Sequence, residues 1–478
     1  MGGQLKKLGL VLLGTVIGFS LTLNFSAVAE RPQAGTPLPI EELRTFSEVF
    51  GRIKSDYVEP VDDRKLIKEA IIGMVAGLDP HSAYLDQDAY KELQAGTQGE
   101  FGGLGIEVTM EDGLVRVVSP IDDTPASRAG IKPGDLIIKL DEAAVKGMTL
   151  NDAVKRMRGK PDTQITLTLV RKNAPKPIVV TLTRSVIKMK SIKLNEVEPG
   201  YASIRVSQFQ EHTGEDLAAA VEKFYKDNKG AVKGLVLDLR NDPGGLLNAA
   251  VGVSAVFLPQ DALVVYTEGR VPDAKMRLTV EPDNYLRSPT ESDYVAGLPA
   301  GVKKIPMVVL VNSGSASASE IVAGALQDHH RATIMGVRTF GKGSVQTILP
   351  LSNNTALKLT TARYFTPNGR SIQAKGIEPD VVVPEDPDMV EASLGIREAD
   401  LEGHLSNPTD SKAGTGADAQ AATAAAKAAA AAKAAQEAAA KPAPAHKPEA
   451  KLENGKEKPD YQLNQAITFL KRKQPKTN

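Results

Sequence analysis

Val311-Asn-Ser-Gly-Ser-Ala-Ser-Ala-Ser-Glu-Ile321 is the stretch on which the fold of this chain turns. It continues from Lys304 to Val311, whose apolar run reads as a buried strand, and leads into Ala318, Ile321, Val322, Ala325 and Leu326, which recur at helical spacing. A serine at such a junction lies beside the free backbone N–H groups of a helix N-terminus. Those donors and the helix dipole favour a developing negative charge. Ser313, Ser315, Ser317 and Ser319 all crowd the junction, and capping a helix is the common occupation of a serine there, so spacing alone does not choose among them.

A serine hydroxyl is a weak nucleophile and needs a base to take its proton. No histidine stands close downstream in a catalytic-looking context. Lys342 does, 25 residues after Ser317, in Thr339-Phe-Gly-Lys-Gly-Ser-Val-Gln346. A lysine serves as a base when burial keeps it neutral, and the Ser-Lys pair is a variant of hydrolase triad logic. Gly341 and Gly343 let the backbone turn tightly around it.

Working outward, Gly200 to Val206 reads as a strand, Gly214 to Asn228 as a helix, and Gly234-Leu-Val-Leu-Asp-Leu-Arg240 as a second buried strand. Asn241-Asp-Pro-Gly-Gly245 turns into a helix from Leu246. Strands alternating with helices argue an α/β core, closed by Leu357 to Tyr364 and Pro379 to Val383. Asp238 and Arg240 flank a strand end and are expected to pair structurally. His329-His330 is a poor metal site, because adjacent residues point in different directions, and no metal is expected.

Residues 99 to 185 carry a different pattern. Phe101-Gly-Gly-Leu-Gly-Ile-Glu-Val108 is followed by a hairpin at Gly113, by Ala129-Gly-Ile-Lys-Pro-Gly-Asp135, by a helix from Thr149 to Met157, and by an alternating strand from Gln164 to Arg171. Consecutive N–H groups around Gly103, Leu104 and Gly105 can form a nest for a carboxylate, and the strand edge Ile106 to Val108 can pair with an incoming peptide. The combination reads as a PDZ domain.

The bulk numbers narrow the class. The chain has 478 residues, room for roughly three domains by the usual length prior. Lys+Arg and Asp+Glu are both 58, so no basic face invites a nucleic acid. There is no cysteine, hence no disulfide, thiol nucleophile or Cys-based metal site. Lys6 and Lys7, the 16 apolar-rich residues Leu8 to Leu23, and Ala27-Val-Ala29 have the layout of a secretory signal cleaved before Glu30. An uncleaved signal would instead be an inner-membrane anchor, for which that run is short. Near the other end, Ala421 to Ala440 and Pro442 to Pro459 are low-complexity linker, and Leu463, Ile467 and Leu470 mark one face of a short amphipathic helix.

Taken together, these residues resemble the carboxy-terminal processing proteases, Ser-Lys endopeptidases with an inserted PDZ domain; the resemblance covers roughly residues 40 to 390. It implies a mixed α/β fold, with a crotonase/Clp-protease-like core, an inserted PDZ domain and a helical N-terminal region. The boundaries that follow are a signal peptide at 1–29, helical region 30–98, PDZ domain 99–185, protease core 186–400, linker 401–459 and C-terminal amphipathic helix 460–478. The family motif aligns its nucleophile with Ser317, its general base with Lys342 and its lysine-positioning glutamine with Gln346. An oxyanion hole would join the Ala318 N–H to one from Gly244 or Gly245. Arg171 corresponds weakly to a basic relay residue of the PDZ domain.

The resemblance further implies protein substrates captured by free, apolar C-termini, no cofactor, an extracytoplasmic or periplasmic location, and self-association through terminal helices; it admits an adaptor protein. Two rivals stand beside it. A PDZ scaffold with a silent core has no need of the full Ser317, Lys342 and Gln346 set, and a crotonase-like acyl-CoA enzyme has no need of a PDZ insertion or an export signal.

Overall fold

The computed structural model describes residues 39–172, 174–386, 396–409 and 460–472. The expected signal peptide and most of the expected linker lie outside these residues. The chain divides into two compact units, at residues 1–70 and 71–478. In the first, helix α1 (Ile40–Asp56) carries Ile40, Leu43, Phe46 and Val49 exposed, and α2 (Asp63–Ala76) begins. The second helix stops just before Asp79-Pro80, as a proline disfavours helix in the residue preceding it. Among the described residues no helix is long and apolar enough to cross a membrane.

In the second unit, β1 (Ala83–Leu85) and α3 (Gln87–Gln98) precede a two-stranded ribbon, β2 (Glu100–Gly103) against β9 (Ser185–Lys188). Between the ribbon's strands lies a small separate core. Strands β3 (Ile106–Glu111), β4 (Leu114–Pro120), β5 (Leu136–Leu140), β7 (Gln164–Val170) and β8 (Ile178–Thr183) pair in that order, and β6 (Ala143–Ala144) pairs with β5. Asp112 and Gly113 both have positive φ, the geometry a two-residue hairpin requires. The short α4 (Pro125–Arg128) and α5 (Leu150–Met157) complete this part, α5 opening with a capping box between Thr149 and Asp152. Val115, Val117, Ile137, Leu167 and Leu169 are fully buried within it. Strand β3 is the sheet's edge, so its outer side is free of any strand among the described residues.

The larger part holds two sheets. The first runs β10 (Ile192–Glu198), β11 (Tyr201–Val206), β12 (Gly234–Asp238), β15 (Met307–Val311), β16 (Thr333–Gly336) and β19 (Val381–Val382), all parallel except β10. The helices α6 (Thr213–Asp227), α7 (Leu247–Phe257) and α9 (Ala318–Asp328), with the short α8 (Pro282–Tyr285), pack against one face of it. The second sheet is β1-β18-β13-β14, with β17 on β18: β13 (Leu263–Gly269), β14 (Arg277–Thr279), β17 (Ser344–Pro350) and β18 (Ala356–Phe365). Because β1 pairs with β18, the segment ahead of the PDZ domain joins the larger part, as expected, and does so through a three-residue strand too short for a sequence pattern to register.

Parallel strands buried on both faces read as continuous apolar runs. Leu235, Leu237, Val309 and Val311 face the helices, while Val236, Val308 and Leu310 face the opposite way. That second face is covered by α10 (Tyr461–Arg472), through Ala466, Ile467 and Leu470. The amphipathic helix at the far end of the chain therefore completes this chain's own core.

Candidate active site

Ser317 caps α9 with φ 56° and ψ −113°, a backbone region that non-glycine residues rarely adopt and that costs about 1–3 kcal/mol. The crowded serines are separated by their partners. Ser315 is fully buried and donates to the carbonyl of Leu239 at 2.8 Å; Ser319 is fully buried and donates to the carbonyl of Asp242 at 2.9 Å. Both are committed to the fold, whereas Ser317 is half-buried at the helix tip.

Glu320, one turn along α9, is completely buried. One of its oxygens, Oε2, accepts the N–H of Ser317 at 2.8 Å and that of Lys342 at 2.9 Å. The other, Oε1, accepts the N–H of Gly341 at 2.7 Å and the hydroxyl of Thr339 at 2.6 Å. Burial pushes the carboxyl up to about 7, although these four donors pull the other way. The loop carrying the lysine is fixed along its backbone. Phe340 N–H donates to Ser315, Gly343 N–H to Gln373 at 3.0 Å, and the hydroxyl of Tyr364 donates to the carbonyl of Lys342.

Burial holds the Lys342 ammonium down to about 8, and the positive charge of Lys358 adds to the effect; Glu398, Glu320 and Asp79 oppose it. Lys358 is itself lowered by burial. It stands on β18 opposite Ile348, two residues from Thr360, which lies opposite Gln346. Gln346 donates to Ser344 at 3.0 Å and Thr360 at 3.3 Å, and no hydrogen bond joins it to Lys342. Thr360 in turn donates to Asp79 at 3.1 Å, which also accepts from Ser82 Oγ at 2.7 Å and from two backbone amides. Although burial disfavours its charge, these donors hold Asp79 below the usual carboxylate range. His81 meets Glu398 at 2.7 Å, and Glu398 accepts from Gln373 at 2.8 Å. The Asp79-Pro-His-Ser82 turn thus joins the site through tertiary contacts, and its sequence carried no sign of this beyond a helix stop.

On the other side of Ser317, Gly244 has φ 96°, and a Cβ there would lie 2.8 Å from both the Ser317 Cβ and the Ala318 nitrogen. Its N–H donates to Asp242 Oδ1 at 2.8 Å. Among the described residues no acceptor faces the N–H of Gly245 or of Ala318. Asp242 is buried and pushed up to about 7 by that burial, with Oδ2 unpartnered. Arg240 pairs with Asp238 at 2.7 Å and with Asp460, the residue just ahead of α10, at 2.7 Å.

In the smaller core, Gly103 lies in the ribbon, opposite Ser185, and Gly105 has φ 75°. Leu104 is buried, and Ile106 and Val108 belong to the free edge strand. Arg171 is held within this core, donating to Asp135 at 2.7 and 2.8 Å and to the carbonyl of Gly130 at 2.9 Å, rather than extending toward Ser317. The ring of His329 meets the carbonyl of Leu263 at 2.7 Å.

This arrangement, a PDZ module entered and left through a ribbon beside an α/β peptidase core, is that of a serine-type peptidase. Residues 200–383 match peptidase family S41, residues 102–182 a PDZ domain, and residues 22–89 the N-terminal domain of the activating protease CtpB. The chain is 44% identical over 421 residues to the carboxy-terminal-processing protease of Bartonella bacilliformis, covering 87% of this chain and 92% of that one. It is 35% identical to carboxy-terminal processing protease CtpA of Bacillus subtilis, covering 80% and 78%. Among solved structures, the photosystem II D1 C-terminal processing protease is 32% identical over 71% of this chain and 86% of that one, with a TM-score of 0.40. The peptide-bound PDZ domain of the Vibrio cholerae carboxy-terminal protease is 26% identical over 19% and 99%, with a TM-score of 0.18. The chain belongs to the carboxy-terminal processing proteases of peptidase family S41.

Proposed function

We propose that this processing protease is a Ser-Lys endopeptidase acting on cell-envelope proteins. Lys342, neutral, takes the proton of Ser317 Oγ as that oxygen attacks the scissile carbonyl. The tetrahedral oxyanion is received by the N–H groups of Ala318 and Gly245, with Gly244 leaving the space open. Lys342 then gives its proton to the departing amine. Water attacks the acyl-enzyme with Lys342 again accepting the proton; the acyl carbon–Oγ bond then breaks, Lys342 returns the proton to Ser317 Oγ, and the product leaves as a carboxylic acid. Gln346 orders the wall beside the lysine through Ser344 and Thr360.

The single observation that carries this reading is the convergence of Ser317 and Lys342 on Glu320, with burial holding the lysine down to about 8. The substrate's C-terminal carboxylate would sit on the amides around Gly103, Leu104 and Gly105, with its last residues added along β3. Ile106 and Val108, half-buried on this edge strand, offer apolar surface there, which favours apolar C-termini. We assign export to residues 1–29, the PDZ domain to 99–185, the protease core to 186–400 together with β1, and self-association to the exposed apolar side of α1.

Cleavage of an unfolded model protein by the chain from Glu30 onward tests the assignment. Wild type should cleave, and Ser317→Ala and Lys342→Ala should each lose the activity while keeping the wild-type circular dichroism. Undiminished cleavage by either variant would overturn it.

A further inference from the structure

The two donors assigned to the oxyanion come from different loops. Ala318 follows β15, whereas Gly245 follows β12. These strands are parallel neighbours, and just past the ladder the N–H of Leu239 still reaches the carbonyl of Leu310 at 2.9 Å. Beyond that bond no strand pairing dictates how far apart the loops run. Asn312, the first residue after β15, is 3% exposed and spans the gap. Its Oδ1 accepts the N–H of Asn241 at 2.8 Å and that of Gly314 at 3.0 Å. Its Nδ2 donates to Asn241 Oδ1 at 2.9 Å and to Glu385 Oε1 at 2.8 Å. A carboxamide offers two N–H donors and two acceptor positions, so all of its capacity is used.

The seam is tight. Asn241 has φ 55°, a region asparagine tolerates better than most residues. A Cβ on Gly314 would lie 2.8 Å from Asn241 Oδ1 and 2.9 Å from its Cα. Farther along, the N–H of Ala316 donates to the carbonyl of Asp242 at 3.0 Å. An asparagine that merely ended a strand would be satisfied within its own loop. This one bonds twice to Asn241, at the head of the turn that carries Gly244 and Gly245.

We propose that Asn312 is a positioning residue: its carboxamide clamps the Asn241–Gly245 turn to the serine loop and so fixes the separation of the Ala318 and Gly245 N–H groups. The inference rests on the Ser-Lys reading, which assigns those two donors. Asn312 touches no reacting atom in that reading. It sets where the donors aim, and a donor aimed at developing charge acts on the transition state more than on bound substrate.

The test compares wild type, Asn312→Leu, Asn312→Asp, Asn312→Asp with Glu385→Gln, and Ser317→Ala. All are made as the chain from Glu30 onward and assayed on a peptide with a free C-terminus. Asn312→Leu should lower kcat about 100-fold, the cost of one misaimed oxyanion donor, with KM within about twofold. Asn312→Asp keeps the oxygen that both N–H groups need but sets a second carboxyl against that of Glu385. It should lose at least about tenfold in kcat, and adding Glu385→Gln, which restores a donor to the pair, should bring kcat back to within about threefold of wild type. Wild-type kcat in either single variant would overturn the role, as would a deficit carried by KM. Should Asn312→Leu fail to fold, the other two variants decide: recovery on adding Glu385→Gln upholds the clamp, and its absence overturns it. If Ser317→Ala remained active, the Ser-Lys reading itself would fall, a result distinct from all of these.

Discussion

Ser317 and Lys342 share a single acceptor: both backbone N–H groups donate to Oε2 of Glu320, at 2.8 and 2.9 Å. Residues from opposite ends of a 25-residue excursion are thereby set against one buried atom. Glu320→Gln replaces one acceptor oxygen by a donating amide that must face donors. The variant should lose about 1–3 kcal/mol of stability, the cost of unsatisfied buried groups, and at least about tenfold in kcat. Chemical denaturation and steady-state kinetics check both; an unaltered kcat would remove the carboxylate from the account of the site.

The pH profile follows from the lysine. In the proposed mechanism Lys342 acts as the neutral amine, so kcat/KM should fall below about 8, roughly tenfold per pH unit well below it. Lys358 lowers Lys342 through like charge, so Lys358→Met should move the acid limb to higher pH while leaving the alkaline plateau within a few-fold. The sign for stability is equally defined. A lysine depressed on folding contributes fully above its unfolded value of 10.5, and that contribution is lost as pH falls through about 8. Lys342→Met should therefore raise the melting temperature near neutrality more than at strongly alkaline pH.

Gly244→Ala places a Cβ 2.8 Å from the Cβ of Ser317 and from the Ala318 nitrogen. Such a contact moves either the serine or one oxyanion donor. Loss of one such donor costs about 100-fold or more in kcat, and that is the expected deficit, with little change in KM. A variant with wild-type turnover would show that this turn is remote from the developing charge.

Leu470 is 1% exposed between α10 and the parallel sheet. Leu470→Ala should cost about 2–5 kcal/mol, the range for a buried leucine. Because Arg240 lies just before the Asn241–Gly245 turn and pairs with Asp460, activity should fall before global unfolding as denaturant is added. Coincident loss of activity and fold would argue against that coupling.

Peptide capture has its own signature. Fluorescently labelled peptides ending in an apolar residue should bind the inactive Ser317→Ala chain about tenfold more tightly as free acids than as carboxamides, since the nest of amides recognises an anion. Equal affinity would exclude the Gly103–Gly105 loop as a carboxylate site.

Much of this was legible in the chain. The apolar runs Gly234–Asp238 and Met307–Val311 announced buried strands because a parallel sheet covered on both faces leaves no polar alternation. The PDZ pattern was equally plain, since turns with positive φ demand particular residues, as at Asp112-Gly113. Spacing could not set Ser315 and Ser319 aside, because what does so is the buried carbonyl each hydroxyl is tied to. Nor could it reveal Glu320, Tyr364, Asp79 or Lys358, which lie up to 281 positions from the groups they touch. Gln346 was expected to hold Lys342 directly, yet its amide is committed to Ser344 and Thr360. Arg171 was a relay candidate whose short-range partner, Asp135, was hidden by fold rather than by composition.

Helix α10 follows all the other described elements in chain order, yet it supplies one wall of the central sheet, and the residue just ahead of it is the second partner of Arg240. A ribosome must therefore finish residues 461–472 before that wall exists. The polypeptide emerges with Ser317 already made but its scaffold unsealed, so the sheet beside the site is completed last. A message cut short, or a chain clipped in the span ahead of this helix, would yield a product lacking that wall rather than an unregulated peptidase.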